Sequence, residues 1–266
     1  MIITDIQTYL NEHPAPPRRI VSLVPSITEL LVSLGREAEL VGVTKFCVHP
    51  AHLRKDKTII GGTKNLRISV IRDLQPDLIV ANKEENMQDQ VMALAEALPV
   101  WVSEVNSVAE AIQMIWHAGA LTGTLPAAET LITGIQKRIS RLTEYRPFTP
   151  HKTLYLIWRE PWMSVGGDTF IHDMLRLAGL ENVCGSKQRY PALDADAIRA
   201  LQPTLGLLSS EPYPFGKQHV AEIQSLVPDA EVRLADGEYF SWYGSRMLPA
   251  MDYLETFASG HTGKQA

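Results

Sequence analysis

Arg19–Gly35 reads RIVSLVPSITELLVSLG, and the fold turns on how it is read. RIVSL (19–23) is short and aliphatic, with β-branched residues, as in a strand buried on both faces. Pro25 and Ser26 then turn the chain. Ser26 and Glu29 stand at capping-box spacing, and Leu30, Leu31 and Leu34 follow at helical intervals. Gly35 is placed to end that helix, because a left-handed residue there carries no Cβ penalty only in glycine. Strand, loop and helix in this order open a parallel α/β sheet.

The alternation continues outward. Strands are expected at 40–44, at 78–81 after the Pro76–Asp77 turn, and at 100–102, with helices over 86–98 and 108–121. The strand signals then stop. From Pro126 to Arg146 an apolar stripe of Leu131, Ile132, Ile135, Ile139 and Leu142 opposes Gln136, Lys137, Arg138 and Arg141. Pro126 suits a first helical turn and Pro147 closes the segment. Such a helix is a rod of roughly 30 Å. Beyond Pro150 the alternation resumes, with strands at 153–157, 205–209 and 232–234. Helices are expected over 217–226, over 245–257, and between Asp168 as cap and Gly179 as stop.

These elements predict an α/β protein of two lobes joined by one long helix. The boundaries are a lead (1–18), an N-terminal lobe (19–124), a linking helix (125–147), a C-terminal lobe (148–258) and a tail (259–266). An internal echo agrees. Ile71–Glu84 (IRDLQPDLIVANKE) and Ile198–Glu211 (IRALQPTLGLLSSE) share Ile, Arg, Leu, Gln, Pro and Leu, and Glu84 falls on Glu211. Either a duplication or a common helix–turn–strand grammar accounts for it. In such a pair of lobes the loops at the carboxyl ends of the strands are expected to face across a cleft, with a stiff helical link favouring small rocking.

Composition excludes several classes. The 266 residues are 45% apolar and 21% charged, with a net charge of −5, an ordinary globular balance without the basic face that broad nucleic-acid binding needs. No apolar run reaches the ~18 residues of a membrane helix. The first twenty residues lack the basic start, apolar middle and small-residue cleavage site of a secretory signal. The chain is therefore read either as not exported by that route or as given without its leader. Cys47 and Cys184 form no CxxC motif; one bridge or two free thiols both remain open, the free thiols being the simpler reading.

Chemistry is expected in the loops that follow the strands: KFCVHP (45–50), GGTKNL (61–66), NKEEN (82–86), WREPW (158–162), EPYPF (211–215) and DGEYFSWYG (236–244). The later loops concentrate Trp158, Trp162, Tyr213, Phe215, Tyr239, Phe240, Trp242 and Tyr243. Aromatic rings supply rigid apolar area with polar tips, as a ligand wall requires. Cys47, His49 and His52 have a C-x-H-x-x-H spacing but no evident fourth ligand, so no metal site is predicted. No nucleophile elbow, phosphate loop or dinucleotide fingerprint is present, and no catalytic residue is assigned. Glu84 and Glu211, one per lobe, would suit docking to a partner with two basic pockets.

RIVSLVPSITELLVSLG, followed by VGVTKFCVHP (41–50), GGTKNL (61–66), PDLIVANKEEN (76–86), and the stretches 158–175 and 236–246, resembles the class III, helical-backbone periplasmic binding proteins of ABC importers. The likeness runs from about Arg19 to Phe257, and the opening motif is nearest the cobalamin branch, although Asn82 and Lys83 follow the third strand here and no aromatic does. The resemblance implies two Rossmann-like lobes, no catalysis and no cofactor of its own. The ligand would be a corrinoid first, or a ferric siderophore or haem, itself carrying cobalt or iron. Residues expected to hold it are Phe46, Cys47, Lys64, Asn65, Asn82, Lys83, Trp158, Arg159, Trp162, Tyr213, Tyr239, Phe240 and Trp242. Glu84 or Glu85, together with Glu211, would engage arginines of a permease. A monomer in the periplasm or cell envelope is implied, with a cytoplasmic relative as the alternative. Two other classes are weighed against this: an α/β enzyme using a corrinoid or a metal at Cys47 and His49, and an interaction module acting through its acidic knobs.

Overall fold

The computed structural model describes residues 1–144 and 150–258. Two compact units divide the chain: the first holds residues 1–105, 109–133 and 243–246, the second 106–108, 134–242 and 247 onward.

The first unit is built from β1 (Ile2–Ile3), α1 (Ile6–Glu12), β2 (Ile20–Ser22), α2 (Pro25–Ser33), β3 (Leu40–Val43), α3 (Leu53–Asp56), β4 (Thr58–Ile59), β5 (Gly61–Gly62), β6 (Asn65–Leu66), α4 (Ile68–Asp73), β7 (Leu78–Asn82), α5 (Gln88–Ala95), β8 (Val100–Ser103) and most of α6 (Val108–Thr122). Its six-stranded sheet runs β1-β8-β7-β2-β3-β4 and is parallel throughout. Every residue of β2 and β7 is buried, which explains why they are apolar up to a terminal Ser22 and Asn82: helices cover both faces of a parallel sheet. The lead is not empty. β1 pairs with β8 at the sheet edge, and α1 is capped by the Asp5 carboxylate, which accepts from the Thr8 N–H. Those elements are too short to carry a period and escaped the sequence reading.

Two expected caps move. Helix α2 starts at Pro25, with Val24 as its cap and no side-chain cap bond. Proline is favoured at the first helical position, where its missing N–H costs nothing, and Ser26, one residue further in, lies inside the helix and cannot cap it. Helix α8 (Phe170–Leu177) is capped by Thr169, whose Oγ1 accepts from the His172 N–H. Asp168 instead accepts from the Arg189 N–H at 2.6 Å. Gly35 and Gly179 do stop their helices, at φ +79° and +72°.

α7 (Leu125–Glu144) begins in the first unit and ends in the second. Ile135 and Leu142 are buried along its stripe. Arg138 and Arg141 are not merely solvated, for both donate to Asp252, and Arg141 also to Glu255. Arg146 and Pro147, expected to finish this helix, and the tail 259–266 lie outside the described residues.

The second unit continues with β9 (Lys152–Leu156), β10 (Trp162–Met163), α8, β11 (Glu181–Asn182), β12 (Ala192–Leu193), α9 (Ala195–Leu201), β13 (Leu205–Ser209), α10 (Lys217–Leu226), β14 (Glu231–Ala235), α11 (Glu238–Ser241) and α12 (Met247–Ala258). Its main sheet is parallel, ordered β11-β9-β13-β14, over a core that includes Leu154, Leu156, Leu208, Phe215 and Ile223. β10 and β12 form a separate antiparallel pair that takes Trp162 out of the loop expected for it.

The internal echo has a backbone counterpart. Gln75 and Gln202 both adopt left-handed backbone, at φ +45° and +44°, each between a helix end and the proline that leads into β7 or β13. Those two strands occupy the same place: β7 lies between β2 and β8, and β13 between β9 and β14.

One short segment returns to the first unit late in the chain. Gly244, at φ +99°, lies so close to α2 that a Cβ would stand 3.3 Å from Leu30 Cβ. Arg246 then donates two parallel bonds to Glu29, at 2.9 and 2.7 Å, and its side chain is only 12% exposed. Glu29 therefore anchors this return and is no capping-box residue. Arg246→Met is expected to cost about 2–3 kcal/mol by leaving a half-buried carboxylate unpaired. Adding Glu29→Gln should restore part of that loss in urea unfolding. Equal stability of Arg246→Met and wild type would contradict this role.

Candidate functional site

In open α/β sheets ligands settle at the carboxyl ends of the strands, where the strand order reverses. In the first unit the reversal falls between β2 and β7, and in the second between β9 and β13. The loops after those strands are where the aromatic and cationic candidates were expected.

Among the aromatics expected to hold a ligand, the first unit exposes Phe46, 49% accessible, in the loop after β3. Its ring lies against the backbone of Gly62, where a Cβ would be 3.1 Å from Phe46 Cε2. Lys45 Nζ sits 5.0 Å from the ring centroid, a cation–π distance. Gly61, at φ +109°, and Gly62 form β5, which pairs with β6. Gln90 braces this hairpin by accepting from the Leu66 N–H at 2.8 Å and donating to the Lys64 carbonyl at 3.0 Å. Lys64 and Asn65 are exposed at its tip, with Lys64 Nζ donating to the Glu84 carbonyl.

Two expected ligand residues of this unit are structural. Cys47 is fully buried; its sulfur lies 3.1 Å from Thr28 Oγ1 and 3.4 Å from Thr44 Oγ1, and burial pushes its thiol pKa up. Asn82 is 1% exposed. Its Nδ2 donates to the carbonyl and hydroxyl of Ser103, and its Oδ1 accepts from the Glu84 and Glu85 N–H groups. A side chain so committed shapes the loop and offers a ligand nothing. Lys83 is exposed, but its ammonium bonds both oxygens of Glu104 at 2.9 Å.

In the second unit Trp158 follows β9 and is 41% exposed. It meets Tyr213 edge-on at 5.6 Å. Tyr213 OH lies 3.3 Å from His219 Nε2, while His219 Nδ1 accepts from the Gly216 N–H at 2.9 Å. That second bond assigns the proton to Nε2 and makes Tyr213 oxygen the acceptor. Trp162 is half-buried and stacks on Phe215 at 6.1 Å, and the Arg159 guanidinium lies over its ring at 5.5 Å. Arg159 is already paired with Glu222 and Glu160.

Of the remaining expected aromatics, Phe240 and Trp242 are buried and Tyr239 is half-buried. Phe240 is fully buried against Tyr155 at 5.1 Å. Trp242 is 9% exposed and donates Nε1–H to Glu211 at 2.8 Å. Tyr239 is half-buried against Tyr253 at 4.9 Å. Apolar rings at the end of a small sheet seal its core before they face a ligand, which spacing alone does not reveal. Glu211, expected as a surface knob, is half-buried too. Glu84 and Glu85 are partly exposed.

Lys45, Gly62 and His219 had no role in the sequence reading, although Lys45 and Gly62 stand in loops where chemistry was expected. The Gly61–Gly62 pair was a usable signal for close backbone approach; for His219 there was none. Cys47, His49 and His52 do not converge as metal ligands: Cys47 is sealed by threonines, and His52 pairs with Glu37 at 2.7 Å. Among the described residues no group of three or more His, Cys, Asp or Glu is arranged to hold a metal ion. Both cysteines are free and buried. No described helix is long and apolar enough to cross a membrane.

Residues 20–226 match the family described as periplasmic binding protein. An uncharacterized ABC transporter substrate-binding lipoprotein of Bacillus subtilis is 27% identical over 205 residues, which is 70% of this chain and 62% of the relative. The vitamin B12-binding protein of Pectobacterium carotovorum is 23% identical, over 90% of this chain and 88% of its own length. Among solved structures, a periplasmic haem-binding protein from Pseudomonas aeruginosa shares the fold with a TM-score of 0.80 at 20% identity, over 94% of this chain and 95% of that one.

Proposed function

The chain belongs to the periplasmic binding protein family, and on that premise we propose that it captures a flat, metal-bearing ligand, a corrinoid first, for an ABC importer. The observation that carries this reading is a pair of aromatic surfaces kept open at the carboxyl ends of the two sheets. One is Phe46 on its glycine bed, the other Trp158 braced by Tyr213. A ring face removed from water contributes roughly 25 cal/mol per Å² of apolar area, and both rings are held by their neighbours before any ligand arrives.

Ligand charge follows from the cations. Lys83 and Arg159 are neutralised by Glu104, Glu160 and Glu222. A periphery of neutral amides, as on a corrinoid, asks for no further charge, whereas haem carboxylates would. Lys45 beside Phe46, and Lys64, whose ammonium donates to the Glu84 carbonyl, keep haem as the second reading. The relatives support a non-catalytic role in the periplasm or at the cell envelope with a permease as partner. We place permease docking at Glu84 or Glu85; Glu211 is engaged within its own unit.

Absorbance titration with cyanocobalamin, haemin and a ferric siderophore tests the reading. Cyanocobalamin should bind and be released chemically unchanged. Trp158→Ala should weaken it about tenfold or more with little change in melting temperature, because the ring is exposed. Full affinity in Trp158→Ala, or no thermal shift with any of the three ligands, would refute the proposal. Turnover of the corrinoid would favour an enzyme.

A further inference from the structure

Glu211 makes contacts that a docking residue does not need. It stands in the loop that leaves β13, two residues before Tyr213. Gly237, at the start of the α11 turn, lies so close that a Cβ would be 2.8 Å from Glu211 Cγ and 3.0 Å from its backbone nitrogen. Glycine is thus required for the two loops to touch. Glu211 Oε1 then accepts from Ser241 Oγ at 2.6 Å and from Trp242 Nε1 at 2.8 Å. Backbone bonds reinforce the contact: Ser209 Oγ donates to the Glu211 carbonyl at 2.5 Å, and the Gly237 N–H donates to Ser210 Oγ at 2.9 Å.

We propose that Glu211 is a positioning residue, a carboxyl clasp that ties the end of α11 to the loop carrying Tyr213 and so sets the Trp158–Tyr213 wall. The inference rests on reading that wall as ligand-facing. The clasp responds to pH. Burial pushes the Glu211 carboxyl above its ordinary value of 4.5, and the nearby carboxylates of Glu238 and Asp236 push the same way, against the bonds from Ser241 and Trp242. The phenol of Tyr155 on β9 also faces it, and beyond Asp236 stands Tyr253 on α12, with Arg233 of β14 beside Tyr253. Because the native state holds this proton more readily than the unfolded chain, stability is greater below the raised value and falls as pH climbs through it. The charged form then accepts from the indole more strongly while bearing the cost of its burial.

Tryptophan fluorescence of the ligand-free protein, followed with pH, tests the clasp. Wild type should show a transition above pH 4.5 that is lost in both Glu211→Gln and Trp242→Phe. Glu211→Gln keeps an acceptor without a charge, so its stability advantage over wild type should grow with pH. A transition that persists in Glu211→Gln overturns the proposal. Cyanocobalamin titrations across the same range form the second arm. Wild-type affinity should change with pH and that of Glu211→Gln should not; equal pH profiles would show that the clasp does not set the wall. Should no ligand bind while the transition still follows Glu211, the corrinoid reading fails and the clasp stands.

Discussion

Asn86→Ala is expected to destabilise the protein by about 3–5 kcal/mol, more than loss of the Arg246–Glu29 pair. Asn86 is 6% exposed and joins three segments at the carboxyl end of the first sheet. Its Oδ1 accepts from the Asn82 N–H at 2.9 Å, and its Nδ2 donates to the Leu23 carbonyl at 3.2 Å and the Thr63 carbonyl at 3.0 Å. Alanine leaves one buried donor and two buried carbonyls short of a partner, and each such group costs about 1–3 kcal/mol less whatever water recovers. Asn86→Asp is the sharper variant, because it keeps the acceptor for Asn82 and turns oxygen lone pairs on both carbonyls. Urea unfolding measures both. A loss below about 1 kcal/mol in Asn86→Ala would mean that water replaces the amide and that the loops need no such tie.

Gly61→Ala and Gly62→Ala are expected to behave differently although they are neighbours. At Gly61 a Cβ would meet the Asn65 carbonyl oxygen at 2.2 Å and the Arg67 nitrogen at 3.2 Å, both backbone, with φ at +109°. Nothing there can give way cheaply, so the loss should be about 2–4 kcal/mol. At Gly62 the nearest atom is Phe46 Cε2 at 3.1 Å, the edge of a ring that can tilt. Stability should change little, while the Phe46 face lifts from its bed and cyanocobalamin affinity falls severalfold. Thermal melts and absorbance titration of the two variants separate the effects. Equal stability losses would show that the hairpin backbone does not constrain Gly61, and unchanged affinity in Gly62→Ala would remove Phe46 from the site.

The long parallel core was legible because its elements carry their own period. β7 and β13 are largely apolar runs after a proline turn, and Lys217–Leu226 is a helix with the bounds its pattern indicates. The short pieces were not: β1, β4 and the β10–β12 pair are two residues per strand, held by pairing with a distant partner and by no local preference. The placement of the candidate residues was only partly legible. Phe46, Trp158 and Tyr213 stand in loops after strands and keep some exposure, whereas Cys47 and Trp242 in other loops, Phe240 in α11 and Asn82 at the end of β7 turn inward.

Local order thus follows from the chain alone: alternation of strand and helix, a long amphipathic α7, and the repeated Leu-Gln-Pro turn before β7 and β13. Periodicity and backbone sterics act over a few residues, and so they can be read in sequence. Which ring faces solvent, which carboxylate is buried, and which asparagine is spent on backbone groups were decided by packing between segments up to 217 positions apart, as Arg246 on Glu29 shows. Burial and hydrogen bonding depend on what the fold brings alongside, and no neighbour in the chain records it.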